Sequence, residues 1–393
     1  MERAELTALV RATGCAEEHA GFIFLCDPHW GKTERAQFER LRAQAKASGA
    51  VGRGWLCVPT GGTSGELKFA RHDEETLTAA VRGFCAHFGL KRVNAIDVLP
   101  AHHVSGLMAR VRCAATGGQH VAWAWKDLES CVRAELPNTE DGRVLSLVPT
   151  QLQRLLASGD ATVTWLRRLK IIFLGGGPAW PELLNAARAA RLRLAPGYGM
   201  SETAAMIAAL RPEEFLAGGA GVGKTLPHAT VEIVEELSGE KVCAGETGLV
   251  RVRAGSLFRG YFPEDLVADF FVTEDLGQIT AGGELSIIGR RDAVIITGGK
   301  KVFPAEIEAA LRASGEFEDV VVMGAPDAEW GECVTAFYPR REPAIDRQRV
   351  EAALSELAAY KRPKKFVAVT SWPRNEQGKV NRTALREVAR AEG

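Results

Sequence analysis

Residues 171–188 read IIFLGGGPAWPELLNAAR. Four consecutive apolar residues closed by glycine make a short buried strand. Gly175, Gly176 and Gly177 follow directly, and glycine admits the backbone conformations that a sharp turn needs. Pro178 and Pro181 come next, and the fixed φ of proline suits the first turn of a helix, which the apolar spacing carries to about residue 191. Strand, glycine turn and helix in succession form the repeating unit of an α/β fold. The same alternation extends both ways. Helical spacing recurs at 33–47 and at 73–87, the second opened by Asp73 as a cap, and aliphatic runs at 144–148, 249–252 and 285–288 read as further strands.

Beyond residue 288 the texture changes. GRRDAVIITGGKKVFPAEIEAAL, residues 289–311, sets Arg290, Arg291 and Asp292 beside a short strand, a turn at Gly298 and Gly299, and a helix with Pro304 first. Strands at 319–323 and 333–338, a helix at 346–359 and a strand at 366–370 follow. A chain of 393 residues exceeds the roughly 250–300 at which one hydrophobic core stops growing. Two domains are expected, 1–290 and 291–393.

The 49 Lys and Arg balance 49 Asp and Glu, so no overall surplus of positive charge marks the chain for nucleic acid or an anionic membrane surface. The best apolar run, 22–26, falls far short of the ~20 residues that cross a bilayer. Glu2, Arg3 and Glu5 precede any apolar stretch, unlike a secretory leader. Eight cysteines contain no CxxC pair, which gives no support to zinc or dithiol chemistry. Thiols this dilute read as reduced side chains of a cytoplasmic protein. The charge run of Lys361, Arg362, Lys364 and Lys365 reads as a solvated surface, and an oligomer is compatible with the composition.

GGAGVGKT, residues 218–225, matches the Walker pattern and would make Lys224 the phosphate-binding lysine of a P-loop NTPase. That motif works only with a strand before it and a helix after it, so that the helix N-terminus faces phosphate. Here 211–216 reads as helix or turn, and Pro227 and the strand-like ATVEIV follow. PTGGTSGELK, residues 59–68, has the better context, because the apolar run 55–58 leads into it. Its glycines let amides turn inward around an anion, its hydroxyls add donors and Lys68 adds charge. A polar surface loop would have the same composition. GYGMSETAA at 197–205 offers an aromatic ring, flexible glycines and Glu202; FVTEDLGQIT at 271–280 offers Asp275, whose two oxygens suit the two hydroxyls of a ribose; NEQGKVNR at 375–382 offers Lys379. In HHVSG, residues 102–106, a histidine pair raises metal binding, but neighbours on one segment are expected to point apart, with no carboxylate or cysteine partner nearby.

Taken in this order, the motifs resemble the acyl-adenylate-forming ligase superfamily, which includes the acyl- and aryl-CoA ligases, over residues 56–382. PTGGTSGELKFARH (59–72), HHVSG, LGGGPAWPELL (174–184), and GYGMSETAAMIAALRPEEFLAG with LPHA (197–218, 226–229) are most similar to its o-succinylbenzoate–CoA ligase branch, of menaquinone and phylloquinone biosynthesis. The resemblance implies an α/β large N-terminal adenylate-forming domain and a smaller, mobile α+β C-terminal domain. It also implies an enzyme using ATP, Mg²⁺ and CoA. Thr60, Thr63, Ser64, Gly65 and Lys68, with Gly61 and Gly62 shaping the loop, would hold the β and γ phosphates. Glu202 would coordinate Mg²⁺. Gly175, Gly176, Gly177 and Tyr198, continuing into Gly199, Met200 and Ser201, would line the nucleotide slot, and Asp275 with Arg290 would grip the ribose. Lys379 would stand between the incoming carboxylate and the α-phosphate. His103, Ser105 and Gly106 would line the acid pocket, Asp292 would be the hinge, and Gly298 and Gly299 would line the pantetheine channel.

The chain departs from the family pattern at Leu67, where a proline usually precedes the loop lysine, and at Glu274, where a glycine often precedes the aspartate. Neither change removes a functional group. The 58 residues before the loop imply a trimmed N-terminal subdomain. Three rival readings stand beside the ligase: the same chemistry on another aryl or fatty acid, a P-loop NTPase acting through Lys224, and a non-catalytic nucleotide binder. Retention of Lys68, Glu202, Asp275, Arg290 and Lys379 argues against the last.

Overall fold

A computed structural model describes residues 1–48, 53–60, 66–130, 139–342, 344–374 and 380–391. A seven-stranded sheet organises the larger part of the molecule, in the order Lys224–Thr225, Ala205–Ala209, Leu194–Met200, Ile171–Leu174, Val144–Leu147, Ala95–Asp97, His120–Ala122. From Leu194–Met200 onward the strands are parallel, and the first two are antiparallel additions. Ile171–Leu174 is buried at every position, as a strand covered on both faces must be. The helix after its glycine turn is Pro181–Ala189. Pro178 lies outside it, against the expectation that both prolines open the helix. Trp180, forced out of the helical region by the ring of Pro181, holds φ −86° and ψ 155° as the N-cap.

A second sheet runs Ala16–His19, Phe22–Leu25, Leu56–Pro59, Phe69–His72. Its last two strands pair antiparallel with Pro59 opposite Phe69, and the Thr60 amide donates to the Lys68 carbonyl at 2.9 Å. The two ends of the expected phosphate loop are thereby pinned together. Gly61, Gly62, Thr63, Ser64 and Gly65 lie outside the described residues. A third, antiparallel sheet of Ala229–Val234, Gly248–Ala254, Phe271–Ile279 and Leu285–Arg290 sets Asp275 directly opposite Arg290.

The Walker-like stretch ends in the two-residue strand Lys224–Thr225, preceded by helix Pro212–Leu216 and followed by strand Ala229–Val234. No helix N-terminus follows Lys224, which is exposed. Lys224→Ala is therefore expected to keep turnover within about twofold of the parent, as for an ordinary surface change. Loss of ATP consumption in that variant would restore the P-loop reading.

Residues 295–369 build a separate five-stranded sheet. Lys300–Val302, Ile295–Thr297, Gly331–Pro339 and Val321–Asp327 lie in that order, and Lys365–Val369 pairs parallel with Gly331–Pro339. Alternate residues serve opposite faces. Val320, Val322, Val334 and Ala336 pack with Ile307 and Leu311 of helix Pro304–Ala313 and with Val350 and Leu354 of helix Arg347–Leu354. Val321, Met323, Phe337 and Val369 pack with Leu385 of helix Arg382–Ala391. The helix expected over 346–359 stops at Leu354; Asp346 is its cap, accepting from the Gln348 and Arg349 amides. Among the described residues no helix is long and apolar enough to cross a membrane.

Candidate active site

The site assembles at the carboxyl ends of the parallel strands, where an open α/β sheet leaves its crevice. Gly175, Gly176 and Gly177 leave the end of Ile171–Leu174; the next strand, Leu194–Met200, carries Tyr198, Gly199 and Met200. Gly199 has no room for a side chain, since a Cβ there would fall 2.0 Å from the Ala205 carbonyl oxygen. The Tyr198 hydroxyl donates to Asp275 Oδ2 at 2.6 Å, and Arg290 Nη1 lies 3.7 Å from Asp275 Oδ1. Burial pushes the Asp275 carboxyl up, while the Tyr198 hydroxyl and Arg290 pull it back. Three residues separated by long stretches of sequence thus form one polar corner.

Ser201 and Glu202 begin the turn after that strand. The Ser201 hydroxyl donates to the Pro59 carbonyl at 3.1 Å, and its own carbonyl is 2.7 Å from Nε2 of buried His72, so the turn is tied to both strands flanking the expected phosphate loop. Ala204 and Ala205 occupy positive φ, 50° and 77°, a strained conformation for alanine that local contacts must hold. Glu202 is 9% exposed. Its Oε1 accepts from the Tyr261 hydroxyl at 2.6 Å, and the Lys68 ammonium sits 5.8 Å from the centre of the same tyrosine ring. Burial raises the Glu202 carboxyl above its ordinary value, against the stabilising hydrogen bond from Tyr261.

His103 is the extended N-cap of helix Val104–Thr116, so Ser105 and Gly106 lie in its first turn. Gly106 packs directly against backbone, with a Cβ at that point 2.3 Å from the Pro100 carbonyl oxygen. The two histidine rings do not point apart as expected from sequence: their centroids are 4.3 Å apart. A carboxylate is also at hand, Asp27 Oδ2 lying 3.4 Å from His102 Nε2. The chain turns into the helix between these residues, which removes the alternation that a strand would impose. Even so, among the described residues no group of three His, Cys, Asp or Glu is placed to hold a metal ion.

Two turns further along that helix is a feature the sequence reading missed. Arg112 is 6% exposed, packs its guanidinium 3.8 Å over the Phe84 ring, and pairs with no carboxylate among the described residues. Burial lowers it to about 10, so it remains a cation at neutral pH. His228 lies beside it. Both nitrogens of that ring are sequestered with no hydrogen-bond partner among the described residues, and burial, with Arg112 adding to it, brings the imidazole down to about 4. Gly83 makes room for the ring, for a Cβ there would fall 1.8 Å from His228 Nδ1.

The AMP-binding enzyme family matches residues 56–262, more than half of the chain, and the AMP-binding enzyme C-terminal domain matches 306–379. The chain belongs to the AMP-binding enzyme family. A 2-succinylbenzoate–CoA ligase of Bacillus licheniformis is 31% identical over 338 residues, 83% of this chain and 68% of the relative. The o-succinylbenzoate CoA synthetase of Bacillus subtilis bound to its acyl-adenylate intermediate superposes with a TM-score of 0.75 at 26% identity, covering 93% of this chain and 78% of that one. The same Bacillus subtilis enzyme with ATP and a magnesium ion gives 0.73 at 27% identity, over 86% and 70%. The rival of a P-loop NTPase finds no support in these likenesses.

In this AMP-binding enzyme the chain leaves the polar corner of Tyr198, Asp275 and Arg290 toward the C-terminal sheet. Arg290, besides facing Asp275, makes a two-pronged contact with Asp292, Nε to Oδ1 and Nη2 to Oδ2, both 2.8 Å. Gly298 and Gly299 follow at positive φ, 54° and 75°, and the Gly298 amide donates to the Trp330 carbonyl at 2.9 Å. A Cβ on Gly298 would fall 2.8 Å from the Trp330 ring. The basic run at 361–365 is largely exposed, as expected, with Arg362, Lys364 and Lys365 on the surface. Lys361 pairs with Glu306 at 2.7 Å, while Lys364 lies 3.9 Å over partly exposed Trp330 and Lys300 lies 4.3 Å over Tyr360. Lys379 lies outside the described residues.

Proposed function

We propose that this chain is an AMP-forming o-succinylbenzoate–CoA ligase, joining a dicarboxylic acid to CoA at the expense of ATP. The observation that carries the substrate is Arg112. A buried guanidinium without a carboxylate is costly, and an acid with a second carboxylate would complete the pair on the helix that begins at His103. A carboxylate resists a thiol because its leaving group would be oxide. One oxygen of the succinyl carboxylate attacks the α-phosphorus, that P–O bond forms, the bond to the β-phosphate breaks, and pyrophosphate leaves. The CoA thiol then loses its proton, its sulfur bonds to the carbonyl carbon, and AMP departs with the pair from the broken C–O bond.

Positioning and charge neutralisation do most of this work. Thr60, Lys68 and the loop from Gly61 to Gly65 hold the β and γ phosphates; Gly175, Gly176, Gly177, Tyr198, Gly199, Met200 and Ser201 line the nucleotide slot; Asp275 and Arg290 take the ribose. Glu202 fits a magnesium ion: it is one hard carboxylate with a fixed oxygen, and magnesium takes few protein ligands and completes its shell with phosphate oxygens and water. Bound there, magnesium would neutralise phosphate charge. Lys379 separates two anions, the acid and the α-phosphate. His103, Ser105 and Gly106 border the reacting end of the acid; Arg112 and His228 face its far carboxylate. The hinge is Asp292, which divides the chain into 1–290 and 291–393, and Gly298 and Gly299 line the route of pantetheine. A protein using ATP and CoA with reduced thiols belongs in the cytoplasm.

The test is a panel of carboxylic acids assayed for pyrophosphate release with and without CoA. O-succinylbenzoate is expected to be the preferred substrate. Preference for a simple benzoate or a long-chain acid would remove the substrate assignment and leave the chemistry.

A further inference from the structure

We propose that Tyr261 is a positioning residue for adenylation, aiming the Glu202 carboxylate at the metal and setting the Lys68 ammonium beside it. This rests on the reading of Glu202 as the magnesium ligand. Tyr261 comes from FRGYFPED, residues 258–265, a stretch that carries none of the motifs of the nucleotide site. Its place is fixed by pairing with the strand that leaves the phosphate loop. The Phe262 amide donates to the Phe69 carbonyl at 2.9 Å, the Arg259 amide to the Arg71 carbonyl at 2.8 Å, and Ala70 and Tyr261 form an antiparallel bridge. Gly260, at φ +121°, permits the bend, since a Cβ there would fall 2.4 Å from the Glu264 carbonyl oxygen. The Phe258 amide donates to the Glu202 carbonyl at 2.8 Å, fixing the glutamate backbone as Tyr261 fixes its side chain. Phe258 packs edge-on against the tyrosine ring with centroids 4.9 Å apart.

The consequence is a division of labour on one ring. The hydroxyl occupies Oε1 of Glu202, which leaves Oε2 to point elsewhere. The face supports Lys68, within the ~6 Å over which a cation feels the ring quadrupole. One side chain thus orients both the carboxylate proposed to hold the metal and the lysine proposed to meet the phosphates.

Tyr261→Phe removes the hydroxyl and keeps the ring. Binding of Mn²⁺·ATP, followed by the electron paramagnetic resonance signal of free Mn²⁺ in the absence of acid, is expected to weaken about tenfold, the effect of losing one charge-assisted hydrogen bond. Metal-free ATP binding, and conversion of supplied acyl-adenylate and CoA to thioester, should stay within about twofold. Unchanged Mn²⁺·ATP affinity in Tyr261→Phe would overturn the proposal, as would loss of the thioester step alongside it, which would mark a structural role. Glu202→Gln, measured in parallel, separates the two readings. If that variant also binds Mn²⁺·ATP normally, the metal assignment of Glu202 fails and the role of Tyr261 with it. If only Glu202→Gln weakens binding, the metal assignment stands and Tyr261 is not its positioner.

Discussion

Lys379→Ala is expected to lower pyrophosphate release from ATP and o-succinylbenzoate by about 10²–10³-fold, the usual scale for removing one preorganised charge from a transition state. The same variant should still convert supplied acyl-adenylate and CoA to thioester at close to the parental rate. The asymmetry follows from the charges in the two steps. In the first, a carboxylate approaches a phosphate that already bears negative charge, so a cation between them stabilises the transition state. In the second, the thiolate attacks a neutral carbonyl and no such pair must be brought together. Arg290 offers this division a structural basis, since its guanidinium contacts both Asp275, proposed to take the ribose, and Asp292, the proposed hinge. A rotation of backbone torsions at Asp292 would trade one set of contacts for another while the nucleotide corner stays on its sheet. Stopped assays of each half-reaction check the prediction, and equal loss of both would sink it.

The parts of the fold legible in the sequence are those whose signal is local. Ile171–Leu174 is four apolar residues ended by glycine, and the start of the following helix is set by Pro181. In the C-terminal sheet the strand expected at 319–323 is found at Val321–Asp327, and the helix expected to begin at Pro304 does so. Ends depended on less visible forces: the helix after Asp346 stops at Leu354, where its last buried residue is used up. The two-residue strand Lys224–Thr225 exists only because Ala208 and Ala209 lie beside it, and no window of sequence contains both partners. The motifs proposed to bind the nucleotide were legible one by one, and pairing across a sheet explains how Asp275 meets Arg290. Tyr261 was not legible, because its contact with Glu202 spans 59 residues and depends on a pairing with the strand after the phosphate loop. Arg112 carried a readable signal that went unread: it falls on the buried stripe of its helix with Leu107, Met108 and Val111. A charge on an apolar stripe is the pattern that should prompt a search for its partner.

Arg112→Met gives the sharpest test of the dicarboxylate reading, because it should act with opposite sign on fold and function. A buried charge without a carboxylate costs the unliganded protein free energy, and replacing it by an apolar side chain of similar length is often neutral or stabilising. Thermal unfolding of the free variant is therefore expected at the parental temperature or above it. With substrate the balance reverses. In the complex the guanidinium would meet the far carboxylate in surroundings of low dielectric, where removing one member of a charge pair costs about 2–5 kcal/mol. kcat/KM for o-succinylbenzoate should fall by about 10²–10³-fold, mainly through KM, since the contact is made alike in ground and transition states. An analogue with the far carboxylate replaced by hydrogen should lose nothing on going to the variant, so its activity relative to o-succinylbenzoate should rise there. His228 refines the expectation. Neutral across the physiological range, it can donate one N–H to the same carboxylate without adding a second buried charge, so His228→Leu should cost about tenfold where Arg112→Met costs a hundred or more. A variant that unfolds early and loses both substrates equally would make Arg112 a structural cation stacked on Phe84, and the second carboxylate would have to be read elsewhere.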